Sequence, residues 1–265
     1  MRLFPRIAAA LAAAIVATAA SAQSSADLAK KLSNPVAAMI SVPFQYNYND
    51  GFLGGEAEQS YVNIQPVIPI SLNDRWNVIS RTILPVVYQT GFKPDGGSQF
   101  GFGLTTQSFF FSPKAPTAAG IIWGVGPAFQ LPTATDDIAN NQWGAGVTAV
   151  ALKQAQGWTL GMLANQIWST SGNDRYGETS VAFLQPFVSY TTAKATSFTL
   201  NTESTYDWED TQWSVPINAM VAQIIKIGGK PVQLQAGARY WAESPKEGPD
   251  GWGLRLAVVY LFPKG

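Results

Sequence analysis

A two-residue alternation of apolar and polar side chains constrains the fold of this chain more than any other feature. In the stretch ISVPFQYNYN, residues 40–49, apolar or aromatic residues occupy the even positions and polar or small residues the odd ones. Successive strand side chains point to opposite faces, so the stretch is predicted to be a β-strand with one apolar face. A soluble sandwich would bury that face, whereas a membrane barrel would turn it to lipid.

About twelve runs of this kind follow one another from Val36 onward, with no helix-period stretch between them. Long connections rich in Gly, Asp and Asn alternate with tight ones, which is the asymmetry of an outer-membrane barrel. We therefore predict an all-β, antiparallel transmembrane β-barrel over residues 36–262 and a short C-terminal tail at 263–265. The predicted strands are 36–48, 59–72, 75–90, 99–111, 119–131, 143–153, 157–168, 180–191, 196–208, 212–226, 231–242 and 252–262.

The first residues have the pattern of a bacterial secretory signal. Arg2 and Arg6 precede an apolar run at 7–20, and Ala20-Ser21-Ala22 supplies a small-x-small cleavage site. We predict a signal peptide at 1–22, cleaved after export. A membrane-anchoring helix is the alternative, but the run is shorter than the ~20 residues that a span needs.

Residues 23–35 precede the first strand and are predicted to be a short leader, with two helical turns in the stretch SSADLAKKLSNP. Ser25 is a suitable N-cap, and Pro35 disfavours helix at Asn34. The segment fits two interpretations, a plug in the mouth of the barrel or a frayed leader. The pattern favours the frayed leader, because residues before the first strand of a domain are usually poorly held.

The composition excludes whole classes of function. The chain contains no His and no Cys, so the commonest general base, the thiol nucleophile and the usual transition-metal ligands are absent. A site built from Asp, Glu, Lys or Ser is still possible, but the sequence contains no motif for one, so we expect no enzyme activity and no catalytic, cofactor-binding or metal-binding residues. After the signal there is no apolar run of ~18 residues, so the chain can cross a membrane only as a closed barrel. Without the signal arginines the charge is slightly acidic, which argues against nucleic acid as a partner.

The last strand supports the membrane interpretation. In WGLRLAVVYLF, residues 252–262, the even positions form one apolar face with aromatic residues at both ends. Aromatic rims around an aliphatic band match the interfaces of a lipid bilayer. The run also resembles the C-terminal targeting strand of outer-membrane proteins, which indicates the outer-membrane assembly machinery as a partner. In ISVPFQYNYN the aromatic face is accordingly predicted to face lipid.

Two features depart from a regular barrel. The stretches 143–153 and 180–191 are apolar on both faces, which indicates packing against a loop or plug inside. Seven prolines fall within predicted strands, where each removes a hydrogen-bond donor. Bulges or breaks are expected at these positions: Pro43, Pro66, Pro69, Pro85, Pro127, Pro186 and Pro216.

Polar residues at mid-strand are the candidates for lining the lumen. A charge at the lipid midplane of a barrel costs ~2–4 kcal/mol, so these side chains are expected to point inward and to include at least one Arg–carboxylate pair. We predict that Glu203→Gln shifts ion selectivity toward anions with little effect on thermal unfolding, as in a water-filled pore. In a closed core the same change would destabilise the protein instead. The candidates are Arg81, Gln107, Gln130, Asn165, Glu203, Gln235, Arg239 and Arg255.

Several stretches resemble the bacterial outer-membrane family named after the meta-pathway of phenol degradation, some members of which are labelled "transporter" or, misleadingly, neuromedin U. The resemblance runs from about Leu32 to Lys264 and implies an outer-membrane barrel with a transport role. It supplies no functional residues. The motifs that carry it include LSNPVAAMISVPFQYNYN, NIQPVIPISLNDRWNVISRTILPVVYQ, TTQSFFFSP, WGVGPAFQLPTATD, WTLGMLANQIWS and VYLFPK.

The leading functional hypothesis is a cofactor-free outer-membrane channel for passive passage of small, aromatic or otherwise hydrophobic molecules. Its expected partners are outer-membrane lipid, the assembly machinery and a small-molecule solute. A closed structural or interaction barrel in the outer membrane is the first alternative. A soluble periplasmic all-β binding protein is the second, and it requires the aromatic faces to form a core.

Overall fold

The computed structural model describes residues 25–135, 138–170 and 177–262. The predicted signal peptide at 1–22 and the predicted tail at 263–265 lie outside these residues. Within them the chain forms a short helix, α1 at residues 25–32, and fifteen strand segments. No helix in the described ranges is long and apolar enough to cross a membrane.

The strand segments are β1 (Ile40–Phe52), β2 (Ala57–Ile64), β3 (Val67–Ser71), β4 (Trp76–Thr90), β5 (Ser98–Phe102), β6 (Thr105–Pro113), β7 (Ile121–Leu131), β8 (Gly144–Ala155), β9 (Trp158–Ser169), β10 (Ser180–Thr191), β11 (Thr196–Thr202), β12 (Ser204–Asp207), β13 (Gln212–Ile227), β14 (Lys230–Glu243) and β15 (Gly251–Phe262). They make a closed antiparallel barrel of twelve strands, because β2 with β3, β5 with β6, and β11 with β12 are each two halves of one interrupted strand. β1 pairs with β15 and closes the barrel. The predicted fold class is confirmed.

The connections alternate between the two ends of the barrel as predicted. The turn end carries 72–75, 114–120, 156–157, 192–195 and 228–229, and the loop end carries 53–56, 91–97, 132–143, 170–179, 208–211 and 244–250. The first loop-end connection is shorter than the sequence indicated. β1 continues to Phe52, which lies opposite Ala57, so the glycine-rich stretch there closes a long hairpin.

The structure shows which face of β1 and β15 points out of the barrel. Asn47 and Arg255 lie opposite each other and are buried inside the barrel, whereas Phe44 and Tyr260 point outward and pack edge to face. Trp252, at the loop end of β15, is 70% exposed. The aromatic faces are therefore the outer surface and not a core, which contradicts the soluble binding-protein alternative.

Some of the expected breaks occur at prolines. Pro66 separates β2 from β3, and β13 carries a register shift between Val215 and Pro216. Pro69 departs from the expectation, because it pairs with Ile79 in unbroken register. β3 pairs with its other neighbour, β1, at one position only. Pro69 lacks a backbone N–H on the side that faces β1, where there are almost no strand hydrogen bonds to lose.

Helix α1 packs inside the barrel at the turn end. Leu28 and Ala29 are buried against Ile224 and Leu261 of the barrel wall. The Gln154 side chain donates to the carbonyl oxygen of Lys30 at 2.9 Å, which fixes the helix to β8. The frayed-leader interpretation is therefore wrong, and the segment is an internal plug.

A second apolar cluster lies next to the plug and explains the strands that are apolar on both faces. Val36, just before β1, packs with inward side chains of β8 and β10. Val150, Leu152 and Phe187 are among them, and Phe110 of β6 is fully buried in the same cluster. The predicted internal packing of these strands is confirmed.

Candidate functional site

A layer of polar side chains crosses the barrel lumen between the plug and the loop end. In-register pairing sets inward residues of neighbouring strands side by side, so Asn47 lies opposite Arg255 and Asn218 lies opposite Arg239. Glu203 occupies the interruption between β11 and β12. These five side chains belong to one hydrogen-bonded group, which we call the ionic layer.

Arg255 holds Glu203 through a two-pronged ion pair. Its Nη1 donates to Oε1 of Glu203 at 2.7 Å, and its Nη2 donates to Oε2 at 2.6 Å. The remaining donor, Nε, is 2.8 Å from Oδ1 of Asn47. Parallel donation of this kind matches the planar guanidinium to the planar carboxylate and fixes the orientation of both.

Arg239 approaches the same carboxylate from β14. Its Nη2 donates to Oε2 of Glu203 at 3.0 Å, its Nε to Oδ1 of Asn218 at 2.8 Å and its Nη1 to the hydroxyl of Tyr61 at 2.9 Å. The guanidinium also lies 5.6 Å from the ring centre of Trp241. Each nitrogen of Arg239 thus has a partner in the lumen.

The ionic layer is almost dry and carries a net positive charge. The side chains of Arg239 and Arg255 are 2% exposed, whereas Glu203 is 23% exposed. Desolvation of a charge is costly, and here the shared carboxylate and the amide acceptors offset it. One carboxylate faces two guanidinium groups, so the formal charge of the layer is positive. The predicted Arg–carboxylate pairing across the lumen is confirmed.

A cavity of about 240 Å³ lies on the turn side of the ionic layer, between it and the plug. We call it the turn-side cavity. Arg81 of β4 and Gln235 of β14 contribute to its barrel wall, and Lys31 and Met39 contribute from the plug segment. Nη2 of Arg81 is 3.4 Å from Oε1 of Gln65, which also lines the cavity.

A second cavity, of about 360 Å³, lies on the loop side of the ionic layer. Tyr61 and Trp241, which touch Arg239, form part of its floor. The backbone of Phe102 in β5 exchanges hydrogen bonds with Thr135, and Ile138 lies in the cavity wall. The ionic layer thus separates two chambers of the lumen, one on its turn side and one on its loop side.

Most of the predicted lumen-lining residues point inward. Glu203, Arg239 and Arg255 meet in the ionic layer, and Arg81 and Gln235 line the turn-side cavity. Two others lie apart from both, on the inward faces of β7 and β9: Gln130 is opposite the buried Gly144, and Asn165 is opposite the buried Thr148.

Gln107 is the exception, because the structure places it on the outward face of β6. It lies opposite Thr82, accepts from the Thr82 hydroxyl at 2.6 Å and donates to Ser80 at 3.0 Å. The cause is a slip of one residue at Gly103–Leu104, between β5 and β6, in the pairing with β4. A one-residue slip exchanges the two faces of every residue that follows.

The neutral members of the site are not evident from the sequence. Asn47, Asn218 and Tyr61 complete the hydrogen bonding of the two arginines. Asn47 lies on the polar face of ISVPFQYNYN, so the alternation showed its direction. Its role depends on facing Arg255 across the closing strand pair, and no local pattern encodes that register.

Comparison with known proteins bears on the fold. No protein-family model matches the chain, and no curated protein does. The crystal structure of an outer membrane channel from Pseudomonas putida F1 matches with a TM-score of 0.65 at 17% identity, over 84% of this chain and 94% of that one. Outer membrane phospholipase A from Escherichia coli matches with a TM-score of 0.47 at 8% identity, over 84% of this chain and 96% of that one. The chain thus shares its barrel fold with the Pseudomonas channel.

Proposed function

We propose that this chain is an outer-membrane channel through which small molecules, including aromatic or otherwise hydrophobic ones, pass passively. The observation that carries the proposal is the division of the lumen into chambers of about 240 and 360 Å³ on the two sides of one thin ionic layer. A barrel serving only as a scaffold has no need of such space in its lumen.

The outer surface supports a location in the outer membrane. Outward aromatic residues such as Trp158, Tyr190, Tyr240 and Trp252 lie near the ends of their strands and form ring contacts with one another across strand pairs. Such residues favour the interfaces between lipid and water. Export by the predicted signal peptide, insertion by the outer-membrane assembly machinery and membership of the phenol-degradation family belong to the same proposal.

The proposed route runs through the lumen, so a solute can pass only if the plug and the side chains of the ionic layer both move aside. The absence of His and Cys from the sequence supports a non-enzymatic role, in which the chain supplies a path and a charge filter. Solutes of small size would enter either chamber, and the positive layer would select among those that carry charge.

A disulfide between the plug and the wall tests this route. The Ser33 and Ser189 hydroxyls are 3.4 Å apart, and the natural chain has no cysteine, so the double variant Ser33→Cys, Ser189→Cys can form one disulfide. Planar-bilayer conductance should fall sharply under oxidation and recover on reduction. The single variant Ser33→Cys is the control and should respond to neither treatment. Equal conductance in both redox states would place the path elsewhere.

The closed structural barrel is the second candidate, and a specific observation favours it. The plug and two apolar clusters fill the turn end of the lumen, and the ionic layer is nearly dry. If neither the parent nor the reduced double variant conducts ions or admits small sugars in liposome swelling, this candidate stands and the channel fails.

A further inference from the structure

Arg81 differs from the other two lumen arginines in lacking a carboxylate. Arg239 and Arg255 both pair with Glu203, whereas no carboxylate within the described part of the chain pairs with Arg81. Among the described residues, its guanidinium makes one long hydrogen bond, to Gln65 at 3.4 Å. A guanidinium held inside a barrel loses much of its hydration, so a partner of opposite charge is strongly favoured there.

Among the described residues, this demand is met only by the longer-range attraction of Glu203, which makes no direct ion pair with Arg81. Of the residues that line the turn-side cavity, Lys31, Arg81 and Arg255 are cationic and Glu203 is anionic. Both oxygens of Glu203 are already engaged by Arg239 and Arg255. The wall is therefore net positive, and Arg81, which has no direct ion pair, can attract an anion within the cavity.

The same wall contains a second donor, whose present hydrogen bond is weak. Nε2 of Gln235 lies 3.3 Å from the sulfur of Met220, and a thioether is a weak acceptor. Gln235 and Arg81 both face the cavity, so an oxyanion there has an amide as well as a guanidinium donor to engage.

The remainder of the wall is apolar. Met39 from the plug, Val67, Phe187 and Val259 line the cavity together with the polar groups. A dry cavity of ~150 Å³ already accommodates benzene, so about 240 Å³ is enough for a small acid with a hydrocarbon body. An inorganic anion would contact the guanidinium of Arg81 but would make no contact with this apolar wall.

We propose that the turn-side cavity binds a small organic carboxylate, with the carboxylate on Arg81 and the hydrocarbon part against the apolar wall. This inference rests on the proposed channel, since it names the class of solute that the lumen holds. The planar fork of Arg81 suits the two carboxylate oxygens, and Gln235 gives a further hydrogen bond.

Calorimetric titration of the purified full-length protein in detergent tests the site. Hexanoate and benzoate should bind the parent, while hexanol and benzyl alcohol, which lack the charge, should bind about tenfold more weakly or not at all. Arg81→Gln should lower carboxylate affinity about tenfold, and Arg81→Lys should restore part of it. Arg75→Gln, an exposed arginine in the 72–75 turn, is the matched control and should bind like the parent.

Equal carboxylate affinity in Arg81→Gln and the parent would overturn the proposal. Inorganic phosphate binding as tightly as hexanoate would also overturn it, because the apolar wall would then contribute nothing. Liposome swelling with a neutral sugar separates this inference from the channel proposal. A protein that admits the sugar but shows no Arg81-dependent binding is a channel without this site, and one that binds hexanoate through Arg81 without admitting any solute keeps the site and loses the channel.

Discussion

At the scale of single residues, the arginines of the ionic layer are held by one carboxylate and several neutral acceptors. Arg239 and Arg255 are each 2% exposed, so their charges lie in a nearly dry layer rather than in a water-filled pore. The expectation that loss of Glu203 would leave stability unchanged assumed a wet lumen. The observed burial argues for the opposite result.

Glu203→Gln should therefore destabilise the barrel by ~3–5 kcal/mol, because it leaves two buried guanidinium groups without their counter-ion. Urea unfolding in detergent micelles, followed by tryptophan fluorescence, measures the change. Glu58→Gln is the control, since Glu58 is an exposed carboxylate whose partner is Tyr48. Its variant should unfold within ~1 kcal/mol of the parent. An equally small effect of Glu203→Gln would mean that water fills the layer.

The sequence identified the charged members of the site but not their neutral partners. A charged side chain at mid-strand costs free energy if it faces lipid, so Arg239, Arg255 and Glu203 were expected to point inward. Asn218 and Tyr61 look like ordinary inward polar residues until strand pairing sets them beside Arg239. The partnership is a property of register across strands, which alternation within one strand does not encode.

At the scale of secondary-structure elements, the strand-like runs and the turn residues between them located every barrel strand, but they did not show where a strand slips. β6 shows the limit, since the stretch TTQSFFFSP has apolar residues on both faces and hides the slip at Gly103–Leu104 that turns Gln107 outward. Helix α1 shows another limit. Its eight residues are too few to fold alone, so its helix depends on burial against the barrel wall.

The final strand, β15, is expected to control insertion into the membrane. Tyr260 and Phe262 belong to its outward face, and Phe129 of β7 is an outward residue of the same kind elsewhere on the barrel. Tyr260→Ala and Phe262→Ala should reduce the amount of protein in the outer-membrane fraction more than Phe129→Ala does. Immunoblots of that fraction measure it. If the three variants insert to the same extent, the last strand carries no special recognition face.

At the scale of the whole molecule, stability has to come from closure and internal packing. The sequence has no cysteine, so no disulfide supports the barrel. Each of the twelve strands pairs with two neighbours, and the pairing of β1 with β15 removes the edges that an open sheet would leave. The plug and apolar clusters then fill the turn end, while the ionic layer ties five strands together near the middle of the lumen.

Because the barrel is closed, the mobility of the protein on denaturing gels should depend on whether the sample has been heated. The intact barrel has no edge from which unfolding can begin, so unheated protein from outer membranes should stay folded in detergent and migrate differently from boiled protein. A chain truncated before Gly251 lacks β15 and leaves β1 and β14 as open edges, so heated and unheated samples of it should migrate alike. Identical mobility of heated and unheated full-length protein, or its recovery in the soluble periplasmic fraction, would contradict a closed barrel in the membrane.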